Sequence, residues 1–411
     1  MSVITIFNGI FCDEENVVKQ LALATGFTVY KDQDLVTRAS GISGLPGHKL
    51  VRVFSAKASV FNSFTHEKER SIASLKLALA ELLSEDNILL HGFCGHLIPN
   101  AVSHVLRVCL IADVVFREGL AVATGGISAQ ESRKLIHKHD EECAAWVRTI
   151  FEQDDPWKAA LYDIVIPMNS TSVEAATGLV TENLEKDIVK ASEASRKAVM
   201  DFQLASRMEV ALGKEGHSVD VSADSGMVTL TINKHVLLLS RLEEELKEIA
   251  GRVPGVTSVV TKVGKGFHQA DIYRKFDFEP PSKVLLVDDE REFVQTLSER
   301  LILRDVSSAV AYDGESALHL IDEDEPDVMI LDLKMPGIDG IEVLKRVKTT
   351  RPEIEVIILT GHGSETDRET CMQLGAFAYL QKPVDIDLLS KTLQAANDKI
   401  RIRLQKDKQS R

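Results

Sequence analysis

Apolar and polar positions alternate between residues 283 and 397 in a way that predicts buried strands separated by amphipathic helices. The apolar runs are VLLVD, VSSAVAY, DVMILD, EVIILT and AFAYLQ. Helical periodicity falls near residues 291–303, 314–323, 340–349 and 365–373, and again from Asp385 onward. Five strands joined by crossover helices predict one doubly wound parallel sheet.

Ionisable side chains directly follow two of these apolar runs. Asp288 and Asp289 come after the first run, and Asp332 ends the third. The carboxyl ends of parallel strands meet at one edge of a sheet, where ligands bind, so we expect the three carboxylates to converge. Like charges at close range raise each other's pKa unless a cation lies among them, and a hard divalent ion prefers oxygen ligands. The pattern therefore predicts a Mg2+ site.

Further polar groups end the later strands. Thr360 ends the fourth strand with a hydroxyl, and Lys382 ends the fifth with an ammonium; both suit the oxygens of a phosphoryl group. Pro383 is a candidate for a cis peptide bond that aims the lysine. Beside a metal, an exposed carboxylate is a competent nucleophile towards a phosphoryl donor. The pattern therefore predicts aspartyl-phosphate chemistry.

The motifs KVLLVDDE, VMILDLKMPGIDG and AYLQKP closely resemble the receiver domain of two-component response regulators. The resemblance implies a flavodoxin-like (βα)5 fold in which Asp332 is the phosphoacceptor. It also implies that Asp288, Asp289 and Asp332 bind Mg2+ with help from the backbone carbonyl of Lys334. The switch residues that it implies are Thr360, Lys382 and Tyr379. The alternative is a flavodoxin-like sheet whose acidic loops arise by chance.

The first segment opens with a strand, a glycine turn and a helix, which is the framework of a phosphate-binding loop. The turn reads NGIFCDEENVV. A working loop of this kind needs several glycines and usually a lysine followed by serine or threonine, and this sequence has neither. Acids at the helix start complement the helix dipole but repel a nucleotide. We interpret Asn8, Gly9 and Asp13 as parts of a degenerate phosphate loop.

Later patterns extend this arrangement. They include strands in NILLHGF and LYDIVIPM, a charged helix over 127–151 and a last helix capped by Ser170 or Ser172. With GFTVYKDQDLV and RVCLIADVVFR, this order resembles the cytidylate-kinase-like family of nucleoside monophosphate kinases over residues 1–190. The resemblance implies a P-loop-kinase-like parallel α/β domain. However, HGFCGHLIPN lacks the arginine that the family usually has, and HDEECAAW has acids where arginines usually meet the phosphates. We expect an inactive sensor or docking module.

Several charged side chains of residues 1–190 lie near the predicted loop, beside strands or on the charged helix. We hypothesise that Asp13 and Glu14 occupy the place of a phosphate and hold the fold in a nucleotide-like closed form. Arg107 and Arg117 are interpreted as surface residues beside strands. A solvated helix face, rather than a metal site, is predicted for His137, His139 and Asp140, because residues two apart do not share a helix face.

Residues 195–264 show a different pattern: a helix to 214, a hairpin with a Ser225-Gly226 turn, a second helix and a third strand. Apolar positions of the second helix are Leu238, Leu242, Leu246 and Ile249. The pattern resembles a small α+β BON domain, a class associated with membranes, lipids or other proteins. We favour an interaction or dimer module, because no export signal is found upstream.

The remaining segments connect or follow these domains. Residues 265–282 end in two prolines without sustained periodicity, which predicts a linker before a receiver-like domain at 283–398. Residues 399–411 are basic and are interpreted as a solvated tail, with helix extension or contact with an acidic partner as alternatives. No helix-turn-helix pattern is found beside 283–398, so we expect no direct DNA binding.

Composition narrows the class of protein. A length of 411 residues predicts two to four domains, and 44% hydrophobic with 27% charged residues is typical of a soluble protein. The net charge of −14 argues against a general nucleic-acid binder. The apolar start lacks a basic leader, and the five cysteines are widely spread. We expect a reduced, cytoplasmic protein without structural zinc.

These interpretations predict a two-component response regulator that accepts a phosphoryl group on Asp332 from a histidine kinase or phosphotransfer protein. Lys382 and Thr360 would then bind phosphoryl oxygens, and Tyr379 would turn inward and change the surface seen by a partner or by the N-terminal domains. One alternative is a nucleoside monophosphate kinase regulated by the receiver. Another is a lipid- or envelope-associated scaffold acting through the BON-like unit. We expect the downstream partner to be a protein, do not favour membrane contact, and keep a dimer as an alternative.

Overall fold

The computed structural model describes residues 2–56, 66–85, 87–233, 239–264, 267, 283–302, 306, 308–361 and 363–409. The chain divides into two compact units. The first contains a five-stranded sheet and a three-stranded sheet, and the second contains another five-stranded sheet. The predicted multidomain α/β architecture with parallel sheets is confirmed. Within the described ranges, none of the helices combines the length and apolar content that a membrane span requires.

The larger sheet of the first unit is parallel throughout and has the strand order β2-β3-β1-β4-β5. Its strands are β1 Val3–Asn8, β2 Thr28–Lys31, β3 Ile88–His91, β4 Val105–Ile111 and β5 Ile164–Pro167. The helices around it are Glu14–Thr25, Asp32–Ser43, Gly47–Val51, Glu67–Leu82, Val114–Gly125, Ala129–Phe151 and Val173–Leu184. Both faces of β1 are covered by apolar cores, as a central parallel strand requires.

Two helices of this unit begin directly after a serine whose side chain caps the helix. Ser172, rather than Ser170, caps the helix Val173–Leu184, and its hydroxyl accepts a hydrogen bond from the Ala175 amide. Ser128 caps the charged helix in the same way, accepting from the Glu131 amide. Small oxygen-bearing side chains thus set the boundaries that the sequence pattern predicted only approximately.

The smaller sheet of the first unit contains β6 Asp220–Asp224, β7 Met227–Ile232 and β8 Ser258–Val263. β6 and β7 are antiparallel, and β8 is parallel to β7. The predicted turn has positive φ at both Ser225 (51°) and Gly226 (88°), which is typical of a tight hairpin. The helix Leu239–Gly251 buries three of the four predicted apolar positions: Leu242, Leu246 and Ile249. The fourth, Leu238, lies outside the described residues.

The helix Glu193–Lys214 belongs to both parts of the first unit. Val199 and Phe202 pack into the core of the larger sheet, whereas Met208 and Leu212 pack into the core of the smaller one. Residues 1–190 and 195–264 therefore both pack against this amphipathic helix, and separating them would expose part of each core.

The sheet of the second unit is parallel and has the order β10-β9-β11-β12-β13. Its strands are β9 Val284–Val287, β10 Ser308–Ala311, β11 Val328–Leu331, β12 Glu355–Thr360 and β13 Ala378–Gln381. The helices are Arg291–Ile302, Gly314–Glu323, Gly340–Thr350, Glu365–Gln373 and Ile386–Gln409. Strand order reverses between β9 and β11, and such a switch point opens a crevice at the carboxyl ends of the strands.

The C-terminal segment 399–411 differs from the solvated tail that was predicted. The last helix continues to Gln409. Lys399 Nζ lies 2.9 Å from the Glu355 carboxylate, and Arg403 Nη1 lies 3.7 Å from it. Glu355 is only 1% exposed, so its buried charge needs cations from the helix. The predicted linker, 265–282, lies outside the described residues except for residue 267.

Replacing Glu355 by Gln should loosen this end of the second unit. Lys399 and Arg403 would lose the carboxylate, and the free energy of local opening should fall by about 1–3 kcal/mol. Hydrogen exchange of β12 and the last helix, measured on the full chain, reports this loss. Glu369→Gln, at an exposed position in another helix, is the matched control. Unchanged exchange in Glu355→Gln would show that the ion pairs do not hold the helix.

Candidate functional site

Asn8 ends β1 and the loop after it contains Gly9 and Asp13, the three residues that we interpreted as a degenerate phosphate loop. The Gly9 amide donates to the carbonyl of Leu110, and the Asn8 side-chain amide donates to the Gly9 carbonyl. The Glu14 carboxylate accepts a hydrogen bond from the Cys12 amide at 2.8 Å. A backbone donor of this loop is therefore satisfied by an acid of the chain itself.

Only one of the two acids expected to stand in for a phosphate contacts the loop. Asp13 has φ of 64° and makes no side-chain cap, and its carboxylate accepts a hydrogen bond from the side-chain Nδ2 of Asn16 at 2.7 Å. Glu14 is the acid that reaches the loop amide. Burial raises the pKa of Glu14, and its backbone hydrogen bonds oppose that shift.

The interpretation of Arg117 as a surface residue is wrong. Arg117 is 4% exposed and makes two hydrogen bonds to Asp140, at 2.8 and 2.9 Å. Its Nε donates to the Ile10 carbonyl at 2.7 Å. A Cβ at Gly9 would lie 3.1 Å from the Arg117 guanidinium carbon, so Gly9 leaves room for this close approach. The guanidinium is drawn inward because it satisfies both a carboxylate and a loop carbonyl.

The other charged residues of this region divide between surface and interior. Arg107 is half-buried and donates to the carbonyl of Pro99 at 3.2 Å. His137 is exposed, as predicted for a solvated face. That interpretation is wrong for His139 and Asp140, which are half-buried because the helix Ala129–Phe151 turns them towards Cys143 and Arg117.

The second unit brings together the three acids that follow its strands. One oxygen from each of Asp288, Asp289 and Asp332 lies within 4.8 Å of the others, and no other described group of three or more His, Cys, Asp or Glu side chains meets this criterion. Asp288 and Asp332 are each 5% exposed, whereas Asp289 is exposed. The β9–β11 register places them side by side, since the Asp332 amide donates to the Val287 carbonyl.

Lys382 completes this cluster from the end of β13. Its Nζ lies 2.6 Å from Asp288, 3.6 Å from Asp332 and 3.1 Å from Glu290. The Lys382–Pro383 peptide bond is cis.

Two further contacts of Lys382 were not identified from the sequence. Its ammonium lies 4.3 Å from the centroid of the Phe293 ring, which adds a cation–π contact. The Glu290 contact had a weak signal, because this acid continues the Asp288-Asp289 pair. Phe293 had none, because its role depends on the orientation of the helix Arg291–Ile302.

The charges of the cluster are unevenly balanced. Burial raises the pKa of Asp288, and the charge of Asp332 adds to that shift, while Lys382 opposes it. Burial lowers the pKa of Lys382, but hydrogen bonds to Asp288 and Glu290 outweigh it and the net shift is upward. The ammonium of Lys382 contacts three carboxylates, and Asp289 adds a fourth to the cluster; this oxygen-rich, acidic set fits a hard divalent cation.

The loop after β11 fixes Asp332. Its Oδ1 accepts from the Leu333 amide at 2.8 Å. Gly340 begins the next helix so close to this loop that a Cβ there would overlap the Asp332 carbonyl oxygen. Lys334 lies in the loop with an exposed side chain, and the role of its carbonyl as a metal ligand stays a prediction.

Two family models match the chain. Residues 284–394 match the response regulator receiver domain, and residues 3–170 match the cytidylate kinase-like family. Over 102 residues, the chain is 46% identical to the transcriptional regulatory protein CpxR of Escherichia coli (strain K12). The aligned region covers 25% of this chain and 43% of CpxR. Over 115 residues, it is 35% identical to the response regulator MprA of Mycolicibacterium vanbaalenii. This aligned region covers 28% of this chain and 50% of MprA.

The chain thus spans half or less of the length of these relatives. A solved receiver domain from Clostridium thermocellum is 34% identical, covers 29% of this chain and 97% of its own, and has a TM-score of 0.28. The C-terminal part of the chain contains a receiver domain. It is homologous to the receiver domains of response regulators.

Thr360 and Tyr379 lie on neighbouring strands of the receiver domain. Thr360 ends β12, is 1% exposed, and accepts the Lys382 amide through its carbonyl at 2.9 Å. The Tyr379 hydroxyl is buried beside Gly363 and has no hydrogen-bond partner in the described part of the chain. The sequence interpretation had Tyr379 turning inward after phosphorylation, whereas its hydroxyl is already buried in this structure because Gly363 leaves room for it.

A side chain at position 363 should therefore displace Tyr379. In Gly363→Ala, the new Cβ would overlap the Tyr379 hydroxyl, so we expect the ring to turn outward and become more exposed. The 19F NMR signal of fluorotyrosine-labelled protein, assigned with Tyr379→Phe, measures this change. Gly361→Ala is the control, because its Cβ meets only ordinary contacts at 3.9 Å. A Tyr379 signal that is identical in Gly363→Ala and the parent would contradict this packing.

Proposed function

We propose that this chain is a two-component response regulator whose Asp332 accepts a phosphoryl group in the presence of Mg2+. The observation that carries the proposal is the convergence of Asp288, Asp289 and Asp332 at the switch point of a receiver domain, where the Lys382 ammonium contacts Asp288 and Asp332. Receiver domains of response regulators generally receive phosphoryl groups from histidine kinases, so a histidine kinase or phosphotransfer protein is the proposed donor.

The two oxygens of Asp332 have different surroundings. Oδ1 accepts from the Leu333 amide, whereas Oδ2 lies 3.6 Å from Lys382 Nζ. We assign Oδ2 as the attacking atom, because the backbone holds Oδ1 and thereby orients the carboxylate. The bond from Oδ2 to phosphorus forms as the bond from phosphorus to the donor nitrogen breaks.

The acidic residues supply the cation site. Asp288, Asp289 and Asp332, with the Lys334 carbonyl, are the proposed Mg2+ ligands, and the ion when bound offsets the charge of the incoming phosphoryl group. Lys382, now shared among carboxylates, would exchange part of that contact for a phosphoryl oxygen.

Thr360 is the second proposed phosphoryl-binding group. Movement of its hydroxyl towards Asp332 would shift the end of β12 and the segment that follows it, where the Tyr379 hydroxyl lies beside Gly363. We propose that the altered surface of β12, β13 and their helices is read by a protein partner. We also propose that the domains have the bounds predicted from the sequence and that residues 195–264 form a BON-like domain. The proposed location is the cytoplasm.

The loop after β1 disfavours the alternative of a receiver-regulated cytidylate-like kinase. Its Cys12 amide is taken by Glu14, and Arg117 is held by Asp140 rather than left for a phosphate. We propose that residues 1–190 act as a sensing or docking module. The lipid-scaffold alternative is supported by no feature beyond the BON-like pattern.

Asp332→Asn should abolish labelling of the full chain by acetyl phosphate and Mg2+, because the amide cannot attack phosphorus. Phosphate-affinity electrophoresis or intact mass measures the labelling. Asp322→Asn is the matched control, since the Asp322 side chain is 79% exposed in the same domain. Labelling retained in Asp332→Asn, with the fold intact by circular dichroism, would remove Asp332 from this role.

Asp289→Asn should weaken cation binding without unfolding the domain, because the side chain is exposed and contributes an oxygen to the cluster. We expect the affinity for Mg2+ to fall about tenfold or more. Isothermal titration of Mg2+, with Mn2+ line broadening in NMR as a second readout, tests this independently of phosphorylation. An affinity equal to that of Asp322→Asn would place the ion elsewhere.

A further inference from the structure

A groove of about 1190 Å3 runs along the helix Glu193–Lys214 in the first unit. One face of the helix lines it from Glu193 to Arg207, and the other lining residues include two turns, at 225–226 and 254–255. This part of the helix rises about 20 Å. The groove also exceeds the volume of about 300–1,000 Å3 that is typical of small-molecule pockets. Its dimensions therefore suit a segment of polypeptide.

Hydrogen bonds hold the sides of the groove in place. The Asp201 carboxylate accepts from the Ser225 amide at 2.7 Å, which ties the helix to the first turn. The Thr257 amide donates to the Gly226 carbonyl at 2.8 Å, which ties the first turn to the segment after the second. A Cβ at Gly226 would lie 2.9 Å from the Thr257 side chain, so glycine permits this close approach. A groove that is formed in advance loses less entropy when it binds a ligand.

The middle of the groove is apolar. Met200 lies on the helix and is 63% exposed, whereas Leu204, one turn further along, is buried in the core of the smaller sheet. A Cβ at Gly255 would lie 3.6 Å from the Leu204 side chain, so the second turn lies beside this leucine. Methionine is flexible and polarisable, and an exposed methionine beside a buried leucine offers an adaptable contact to an apolar side chain.

Two arginines flank the exposed methionine. Arg196 lies one turn before Met200 and is exposed, and Arg207 lies two turns after it and is half-buried. Neither guanidinium has a hydrogen-bond or ion-pair partner among the residues that the structure describes. Each carries five N–H donors, and a half-buried charge without a partner is costly. Both arginines are therefore available to pair with carboxylates of a ligand.

The third cation of the lining is already paired. Lys197 Nζ lies 2.9 Å from the Asp201 carboxylate and also contacts Asp224. The remaining acid of the described lining, Glu193, lies in the first turn of the helix, where its charge complements the helix dipole. The charges that are left to recognise a ligand are thus those of the two arginines, and they are complementary to an acidic partner.

We propose that this groove docks an acidic, amphipathic helical segment of a protein partner. Arg196 and Arg207 are about three helical turns apart, so they lie on one face of their helix. Carboxylates at the same spacing in the partner segment pair with them, and an apolar side chain between these carboxylates covers Met200. The inference is independent of the phosphorylation of Asp332, because every residue that lines the groove belongs to the first unit.

The test uses the full chain and two synthetic helical peptides of about 15 residues. One has leucines at its centre and two glutamates about eleven residues apart, and in the other two lysines replace the glutamates. Fluorescence anisotropy of the labelled peptides measures binding. We expect the glutamate peptide to bind at least about tenfold more tightly, because its charges are opposite to those of the arginines. Equal affinities, or no binding of the glutamate peptide at millimolar concentration, would overturn the proposal.

A charge reversal locates the binding. Arg196→Glu changes an exposed side chain, so the fold should be retained. It should weaken the glutamate peptide about tenfold and strengthen the lysine peptide, because attraction is exchanged for repulsion. Arg241→Glu, at an exposed position of the same unit outside the groove, is the matched control and should change neither affinity. Equal weakening in both variants would reflect general charge and overturn the site.

Two other occupants are distinguished by the same variant. Vesicles containing phosphatidylglycerol that bind the parent but not Arg196→Glu, in the absence of peptide binding, would assign the groove to a membrane surface. A dimer that dissociates in Arg196→Glu, measured by sedimentation velocity and again without peptide binding, would assign it to a second copy of this chain. Either result would overturn the assignment to an acidic partner segment.

Discussion

The receiver domain depends on the close packing of like charges at the switch point of its sheet. Asp288 and Asp332 are buried at the ends of adjacent strands, and Lys382 is the cation that the structure places between them. Removing charges from water is costly unless they are paired, and Lys382 alone leaves the cluster with an excess of negative charge. Two backbone features lie beside these charges. The Lys382–Pro383 peptide bond is cis, and Gly340 lies close to the Asp332 carbonyl oxygen.

The first unit meets a comparable problem in a different way. Its loop after β1 has backbone groups that a ligand would satisfy in a working phosphate loop, and here the chain satisfies them itself. Glu14 accepts the Cys12 amide, and Arg117 joins the Ile10 carbonyl to Asp140. The loop after β1 in this parallel sheet is thus closed by hydrogen bonds within the chain and lined by acidic residues.

Shared packing links the two parts of the first unit. The helix Glu193–Lys214 inserts Phe202 into one core and Met208 into the other, so neither part buries its apolar surface alone. This coupling is a property of packing that residue spacing alone does not specify.

The sequence by itself determined the strands and helices of the receiver domain, because period-two and period-3.6 patterns follow directly from backbone geometry. It also placed Asp288, Asp332 and Lys382 at strand ends, and a parallel sheet brings such ends together. Tertiary structure alone decided the burial of Arg117, the cations around Glu355 and the inward hydroxyl of Tyr379. These features depend on contacts between residues far apart in the chain, and a side chain's partner is fixed only when the packed elements bring it within hydrogen-bonding distance.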